Sequence, residues 1–276
     1  VKTLDKISSS QYTKNQTTAS FRGNIFDRRL KTLAISAKKP SIAINPRVFA
    51  ANYKNIKRMS DILNVPYNTI KKRTQSKGYF AWIARKTSNA QAQKISSLKL
   101  QGVHQILEHD RLYPRNQHAG ALLGYVGIDN KGLGGLELHL ESILKGPSKK
   151  IQFKRDARGQ PIVSDFNDAA PEKTGRHVSL TIDSVIQGFA EEAIEQGVKD
   201  AKAKSGYAIV SDPYSGKILA IANYPTFNPN ESVSITNNPR DASLGNAFEP
   251  GSVIKPFVIA NAIEMKSTWP NEIHYC

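Results

Sequence analysis

A serine and a lysine stand three positions apart in Glu249-Pro250-Gly251-Ser252-Val253-Ile254-Lys255-Pro256-Phe257. On a helix, positions i and i+3 share a face, so the Lys255 amine can reach the Ser252 hydroxyl and take its proton. That is the layout of an activated serine nucleophile. The lysine serves as a base only when neutral, which calls for a dry, electropositive setting that lowers its pKa. A four-residue match with two free positions is common, and taken alone it is more often a surface helix than a catalytic one.

The elements around it raise its weight. His177 to Ile182 reads as a strand that delivers Asp183 as the N-cap of a long helix, with Val185, Ile186, Phe189, Ala190, Ala193, Ile194 and Val198 as its apolar face. Gly206 to Asp212 and Lys217 to Asn223 read as two strands of an antiparallel hairpin turned at Pro213-Tyr214-Ser215-Gly216. A loop rich in Asn and Pro then runs from Tyr224 to Asn246 and leads into the helix of Ser252 and Lys255.

The first half of the chain is of another kind. Residues 1 to 20 are polar and predict an extended or loosely ordered lead-in. Arg22 to Arg28, Leu33 to Ser36 and Ser41 to Ile44 read as strands, broken at Asn45-Pro46. Helices are expected over 47 to 64 and Ser88 to Leu98, and a strand over Gly102 to Glu108. The glycines between 120 and 135 imitate a phosphate loop, but no Gly-Lys-Ser/Thr follows, so turns and close backbone packing are the better reading. Glu137 to Leu144 predicts a short helix closed by Gly146-Pro147. Ile151 to Lys154 and Gln160 to Val163 flank Arg158-Gly159 like a hairpin, and the polar stretch Asp165 to Gly175 marks a domain boundary.

With 276 residues, 39% of them hydrophobic, the chain can bury two cores. No apolar stretch approaches the roughly 20 residues that span a bilayer. The chain opens on Val1 rather than Met, so an upstream segment is expected. Thirty-nine Lys and Arg against 23 Asp and Glu give a net charge of +16, which favours anionic partners. The basic residues fall in short, separated runs, with no interleaved basic and aromatic signature and no zinc spacing, so a solvated basic face is expected and nucleic acid is not. The single Cys276 excludes an internal disulfide and a cysteine-rich metal site.

In order along the chain, these residues resemble the class B penicillin-binding proteins, single-pass enzymes that cross-link peptidoglycan. Arg22-Gly23-x-Ile25-x-Asp27-Arg28 with Leu33-Ala34 is similar to the family's opening signature. Tyr113-Pro114 through Leu123-Gly124-Tyr125-Val126-Gly127 to Gly134-Gly135-Leu136-Glu137 resembles its second, and Leu144-x-Gly146 to Arg158-Gly159 the segment after that. Leu180-Thr181-Ile182-Asp183 with Gln187, then Asp212-Pro213-x-Ser215-Gly216-x-Ile218-Leu219-Ala220 and Pro225 to Asn230, resemble the start of the transpeptidase domain. The resemblance covers the chain from about residue 21.

It implies a mixed α+β and α/β fold. Residues 1–170 would be a non-catalytic pedestal of the dimerisation type, and 171–276 the incomplete start of a serine β-lactamase-like transpeptidase domain. It also implies that Ser252 is the nucleophile toward the carbonyl of a D-Ala-D-Ala stem peptide, that Lys255 takes its proton, and that the Ser252 N–H at the helix start stabilises the oxyanion. No cofactor and no metal are implied. The partners would be peptidoglycan stem peptides, β-lactams as covalent inhibitors, membrane proteins of the division complex and a lipid-linked glycan polymerase, with no nucleic acid. The place would be the inner membrane, through an anchor upstream of residue 1, with these residues on the extracytoplasmic side. Phe248-Glu249-Pro250-Gly251-Ser252 and the short gap between Gly127 and Gly134 resemble the septal, cell-division branch.

The departures are as informative. The family's second and third motifs follow the serine, and neither Ser-x-Asn nor Lys-Thr-Gly occurs between Ser252 and Cys276. These residues by themselves are therefore expected to be inactive. Lys173-Thr174-Gly175 spells the third motif but precedes the serine, and is read as coincidence. Arg29 to Lys31 lacks the glycine common after the opening Asp-Arg. Two other readings stay open: a β-lactam-sensing or β-lactam-hydrolysing relative, and a non-catalytic interaction module of the division complex.

Overall fold

The computed structural model describes residues 13–18, 21–146, 149–154, 174–231, 245, 247 and 249–273. Its first half runs β1 (Thr13–Thr18), β2 (Ile25–Phe26), β3 (Thr32–Ile44), α1 (Tyr53–Leu63), α2 (Tyr67–Thr74), β4 (Ala81–Ala84), α3 (Asn89–Ser97) and β5 (Val103–Leu112). Three short helices, α4 (Gly120–Leu123), α5 (Gly135–His139) and α6 (Glu141–Leu144), and the strand β6 (Lys149–Lys154) complete it. The second half holds β7 (Val178–Ser179), α7 (Ser184–Asp200), β8 (Gly206–Ser211), β9 (Ile218–Tyr224), a 3₁₀ turn (Gly251–Ile254) and α8 (Lys255–Glu264).

The spine of the first half is β3, whose 13 residues at about 3.3 Å each reach about 40 Å. β5 pairs antiparallel with it from Ile35 to Ile44, and β4 joins at Ile42 to Ile44, so β3 is flanked on both edges at its far end. Pro40 sits mid-strand without an N–H to donate. Its carbonyl is taken by Thr87, through the backbone N–H at 2.7 Å and the hydroxyl at 2.8 Å, rather than by a further strand. At the near end β3 pairs with β2, and β2 pairs in parallel with β7, which carries the sheet into the second half.

Two separate cores form at the two ends of β3. At the far end, α1, α2 and α3 pack Ile56, Met59, Leu63, Ile70, Ala92 and Ile95 against Ile42, Ile44 and Ile83, making a small helical lobe. At the near end, Ile25, Leu33, Tyr113, Leu122, Leu123 and Leu144 share one cluster with Ile182 and Ile221 of the second half. That core is common to both halves.

The helix expected over 47 to 64 begins only at Tyr53, because Asn52 caps it by accepting the Asn55 N–H at 2.9 Å. The helix at Ser88 is opened by a capping box with Gln91. α2 was not foreseen: its apolar positions, Ile70 and the half-buried Tyr67, are too few to show a period. Part of the expected loose lead-in is a strand, since β1 pairs antiparallel with β6 from Thr13–Lys154 to Thr18–Lys149. Gln160 to Val163 and Arg158-Gly159 of the expected hairpin, Asp165 to Lys173, Phe248 and Cys276 lie outside the described residues.

On α7 the expected apolar face is corrected. Val185 and Phe189 are exposed, Phe189 by 67%, while Gln187 is fully buried beside Ala190 and Val198. A glutamine sits inside because β9 offers it a backbone partner: its Nε2 donates to Ile221 O and its Oε1 accepts from Ile221 N–H, both at 2.8 Å. The hairpin of β8 and β9 stands as expected, paired from Gly206–Tyr224 to Ser211–Ile218.

Candidate active site

Ser252 lies in the 3₁₀ turn and Lys255 opens α8 directly behind it. The local sequence dictates this change of helix type. Pro256 has no N–H, so it cannot make the α-helical bond back to Ser252 O, and Lys255 N–H donates there in its place. Gly251 adopts φ +56, a left-handed conformation that a β-carbon would strain, and a Cβ there would meet nothing within 4 Å. Backbone strain, then, and not crowding calls for glycine at this position. In a 3₁₀ turn side chains at i and i+3 eclipse, so Ser252 and Lys255 project from the same side of the chain. The first bond of the turn runs from Val253 N–H to Pro250 O at 3.3 Å, one residue beyond Ser252, so the Ser252 N–H belongs to the free donors at the helix start.

Both side chains are exposed, and so is most of α8, including Phe257 at 68% and Val253 at 70%. Residues 232–244, which join the β9 side to this turn, lie outside the described residues. Among the described residues no group of three or more His, Cys, Asp or Glu side chains is gathered as a metal site, and no helix is long and apolar enough to cross a membrane.

The start of α7 and the end of β9 are tied to the first half by polar contacts that pairwise sequence reading missed. Asp27 caps the start of α7 from the other half of the chain: its Oδ2 accepts from Ser184 Oγ at 2.6 Å, and its Oδ1 accepts from the N–H groups of Arg29 and Lys31 at 2.8 Å. Burial pushes the Asp27 carboxyl up, but the Ser184 hydroxyl and the N–H groups of Lys31, Arg29 and Ser184 together hold it below the usual carboxylate range. Those bonds also hold the turn from Asp27 to Lys31 together without the glycine that the resemblance led one to look for. Arg29 reaches Asp183, the helix N-cap, at 3.1 Å. Tyr113 N–H donates to Asn230 Oδ1 at 2.9 Å and Asn230 Nδ2 returns a bond to Tyr113 O at 2.8 Å. Glu191 of α7 accepts from Ala119 N–H at 2.7 Å and lies 2.8 Å from His118 Nδ1.

Beneath this junction lies a buried ion cluster. Glu137, fully enclosed, accepts from Arg22 Nε at 2.5 Å and Arg111 Nε at 2.6 Å, and Tyr113 Oη donates to it at 3.3 Å. Glu141 takes a second bond from Arg22 at 2.5 Å. Burial and the neighbouring Glu137 charge push the Tyr113 phenol well up. Arg22 and Glu137 were each quoted from the sequence as parts of signatures. That they are partners across 115 positions could not be read there. The Lys-Thr-Gly run also finds its reason: Gly175 N–H donates to Phe21 O at 2.9 Å, and a Cβ on Gly175 would fall 1.8 Å from Leu144 O. The glycine answers to packing. Lys173 lies outside the described residues.

Comparison with known proteins agrees with this architecture. The family model described as the penicillin-binding protein dimerisation domain matches residues 17–180, and that of the penicillin binding protein transpeptidase domain matches 206–276. A probable peptidoglycan D,D-transpeptidase PbpC of Pseudomonas aeruginosa is 36% identical over 245 residues, 88% of this chain and 43% of that protein. The peptidoglycan D,D-transpeptidase FtsI of Escherichia coli (strain K12) is 29% identical over 260 residues, 90% of this chain and 43% of that protein. The chain thus spans less than half the length of these relatives. A penicillin-binding protein (PBP2) of Helicobacter pylori, solved in complex with MreC, superposes with a TM-score of 0.68 at 22% identity, over 94% of this chain and 54% of that one. At such identity the likeness concerns the fold.

Proposed function

The chain belongs to the penicillin-binding protein family, and from that premise we propose that the whole protein is a peptidoglycan D,D-transpeptidase with Ser252 as nucleophile and Lys255 as its base. The observation that carries the reading is the turn itself: Ser252 and Lys255 are eclipsed at i and i+3, at the free-donor end of a helix, within the segment that matches the transpeptidase domain. Ser252 Oγ attacks the carbonyl of the penultimate D-alanine of a stem peptide while Lys255 Nζ accepts the hydroxyl proton. The C–O ester bond forms, the amide C–N bond breaks, and the terminal D-alanine leaves with a proton. An amine of a neighbouring stem then attacks the ester, a new C–N bond forms, and Ser252 regains its hydroxyl. The Ser252 N–H faces the developing oxyanion. No cofactor takes part.

The domain boundary falls near residue 170 in this reading, with residues 1–170 as the pedestal. We place the working protein at the inner membrane, its described residues on the extracytoplasmic side, in septal wall synthesis beside division-complex membrane proteins and a lipid-linked glycan polymerase. The Phe248-Glu249-Pro250-Gly251-Ser252 lead-in and the short gap between Gly127 and Gly134 support the septal assignment.

The test uses the full-length protein and a fluorescent penicillin. A stable adduct is expected on the peptide that contains Ser252, none in Ser252→Ala, and an acylation rate lower by about 10²–10⁴-fold in Lys255→Ala, the usual worth of a general base. An adduct that persists in Ser252→Ala overturns the proposal. Residues 1–276 by themselves should give no adduct on the same time scale.

A further inference from the structure

The basic residues that look scattered along the sequence converge in space. Between positions 45 and 105 stand twelve Lys and Arg against one Asp, Asp61, a net +11 out of the chain's +16. These are the residues of the helical lobe at the far end of β3, about 30 Å along the strand from the core shared by the two halves. On α1 the buried face is Ile56, Met59 and Leu63, which leaves Lys54, Lys57 and Arg58 on the outer face. On α2, Ile70 and Thr74 are buried while Lys71 and Lys72 are exposed. Lys57 is paired with Asp61, and Arg85 and Lys86 with Glu108, Asp129 and Asp110. Lys54, Arg58, Lys71, Lys72, Lys94 and Lys99 form no salt bridge among the described residues.

Aromatic rings accompany this charge. Tyr53, 68% exposed, lies against Tyr67 with centroids 5.5 Å apart, and Phe80, 40% exposed, meets Trp82 edge-on at 4.9 Å. The Arg47 guanidinium sits over Tyr79 at 4.0 Å and that of Arg85 over Trp82 at 5.3 Å. Tyr53 and Phe80 are the large exposed apolar side chains of the lobe, while its aliphatic ones are committed to its own core. The exposed surface of the lobe is thus dominated by cations with two rings among them, and an occupant that fits it is anionic along its length. Cations beside ring faces suit a polymer that carries both anionic groups and sugar rings.

We propose that the lobe built from α1, α2, β4 and α3 is a binding surface for the carboxylate-bearing glycan of the cell wall, separate from Ser252. Lys54, Arg58, Lys71 and Lys72 pair with carboxylates of uncross-linked stem peptides, and Tyr53 and Phe80 pack against sugar rings. The choice of a wall glycan over a nucleic acid rests on the transpeptidase reading; the surface itself does not depend on Ser252 being reactive.

Full-length protein with Ser252→Ala, which removes covalent chemistry, is sedimented with purified insoluble wall glycan. Retention is expected to fall at least about tenfold in Lys54→Glu/Arg58→Glu/Lys71→Glu/Lys72→Glu, four exposed charges whose contacts act together. It should fall comparably when the carboxylates of the glycan are amidated and the lobe is left as it is, an arm that a folding defect cannot imitate. Tyr53→Ala should weaken retention several-fold without changing its salt dependence. Retention indifferent to both charge reversal and amidation overturns the proposal. So does lobe-dependent binding to phosphatidylglycerol vesicles or to an oligonucleotide that matches or exceeds binding to the glycan. An absent penicillin adduct would bear on Ser252 and leave this measurement standing.

Discussion

Glu137 shows what one residue can carry. It is the shared counter-charge of Arg22 and Arg111 and touches the Tyr113 hydroxyl, all within the core common to both halves. Glu137→Ala leaves two buried guanidiniums without their common partner, and removal of one side of a buried pair costs about 3–5 kcal/mol. Urea unfolding should show that loss, and a midpoint equal to the parent's would mean that the cluster is not enclosed as described. Ser252 and Lys255 differ in kind. Their side chains are exposed among the described residues, so within residues 1–276 their substitution should leave stability almost unchanged.

At the level of elements, close backbone approach decides as much as side-chain pattern. Gly175 passes so near Leu144 that Gly175→Ala puts a methyl group 1.8 Å from a carbonyl oxygen. We expect a loss of about 2–3 kcal/mol, read by thermal unfolding, as for other overpacked sites. Full-length Gly175→Ala should still form the penicillin adduct at low temperature, whereas a catalytic Lys-Thr-Gly would lose it. The Asp183 cap and the turn after Asp212 were legible in the sequence because they are local, acting within five residues of themselves. The apolar face of α7 was only partly legible. Its helical period was visible, but which side turns inward was settled by β9, whose Ile221 backbone gives Gln187 a partner and leaves Phe189 outside. α2 escaped notice for want of enough apolar positions to show a period.

For the whole molecule, acid should loosen the seam between the halves through Asp27 and Asp183, and the first half itself through Asp110. Burial raises the carboxyls of Asp27, Asp110 and Asp183, and in each case the partners outweigh it: Ser184 with backbone N–H groups, Lys39 with Lys86, and the Val185 N–H with Arg29. All three are held below the usual range, so the stability they add is complete above the unfolded value near 3.9 and disappears as the pH falls through the lower folded values. Asp27→Asn removes one such titration, and its stability should therefore decline less steeply than the parent's below about pH 4, as measured by denaturant unfolding across pH. A parallel decline in the two proteins would remove Asp27 from the seam. At this scale a basic lobe stands at one end of a long strand and the core shared by the two halves at the other. What the amino-acid sequence determined by itself was the local grammar: caps, the β8–β9 hairpin, the irregular turn that Pro256 imposes at Ser252, and the order of motifs that identifies the family. Only the tertiary structure decided that Arg22, Arg111 and Glu137 form one cluster, that Asp27 caps a helix more than 150 residues away, and that dispersed lysines share a lobe. Local signals arise from bonds within a turn or two, whereas these partnerships exist only after β3, β5 and α7 have brought distant segments into register.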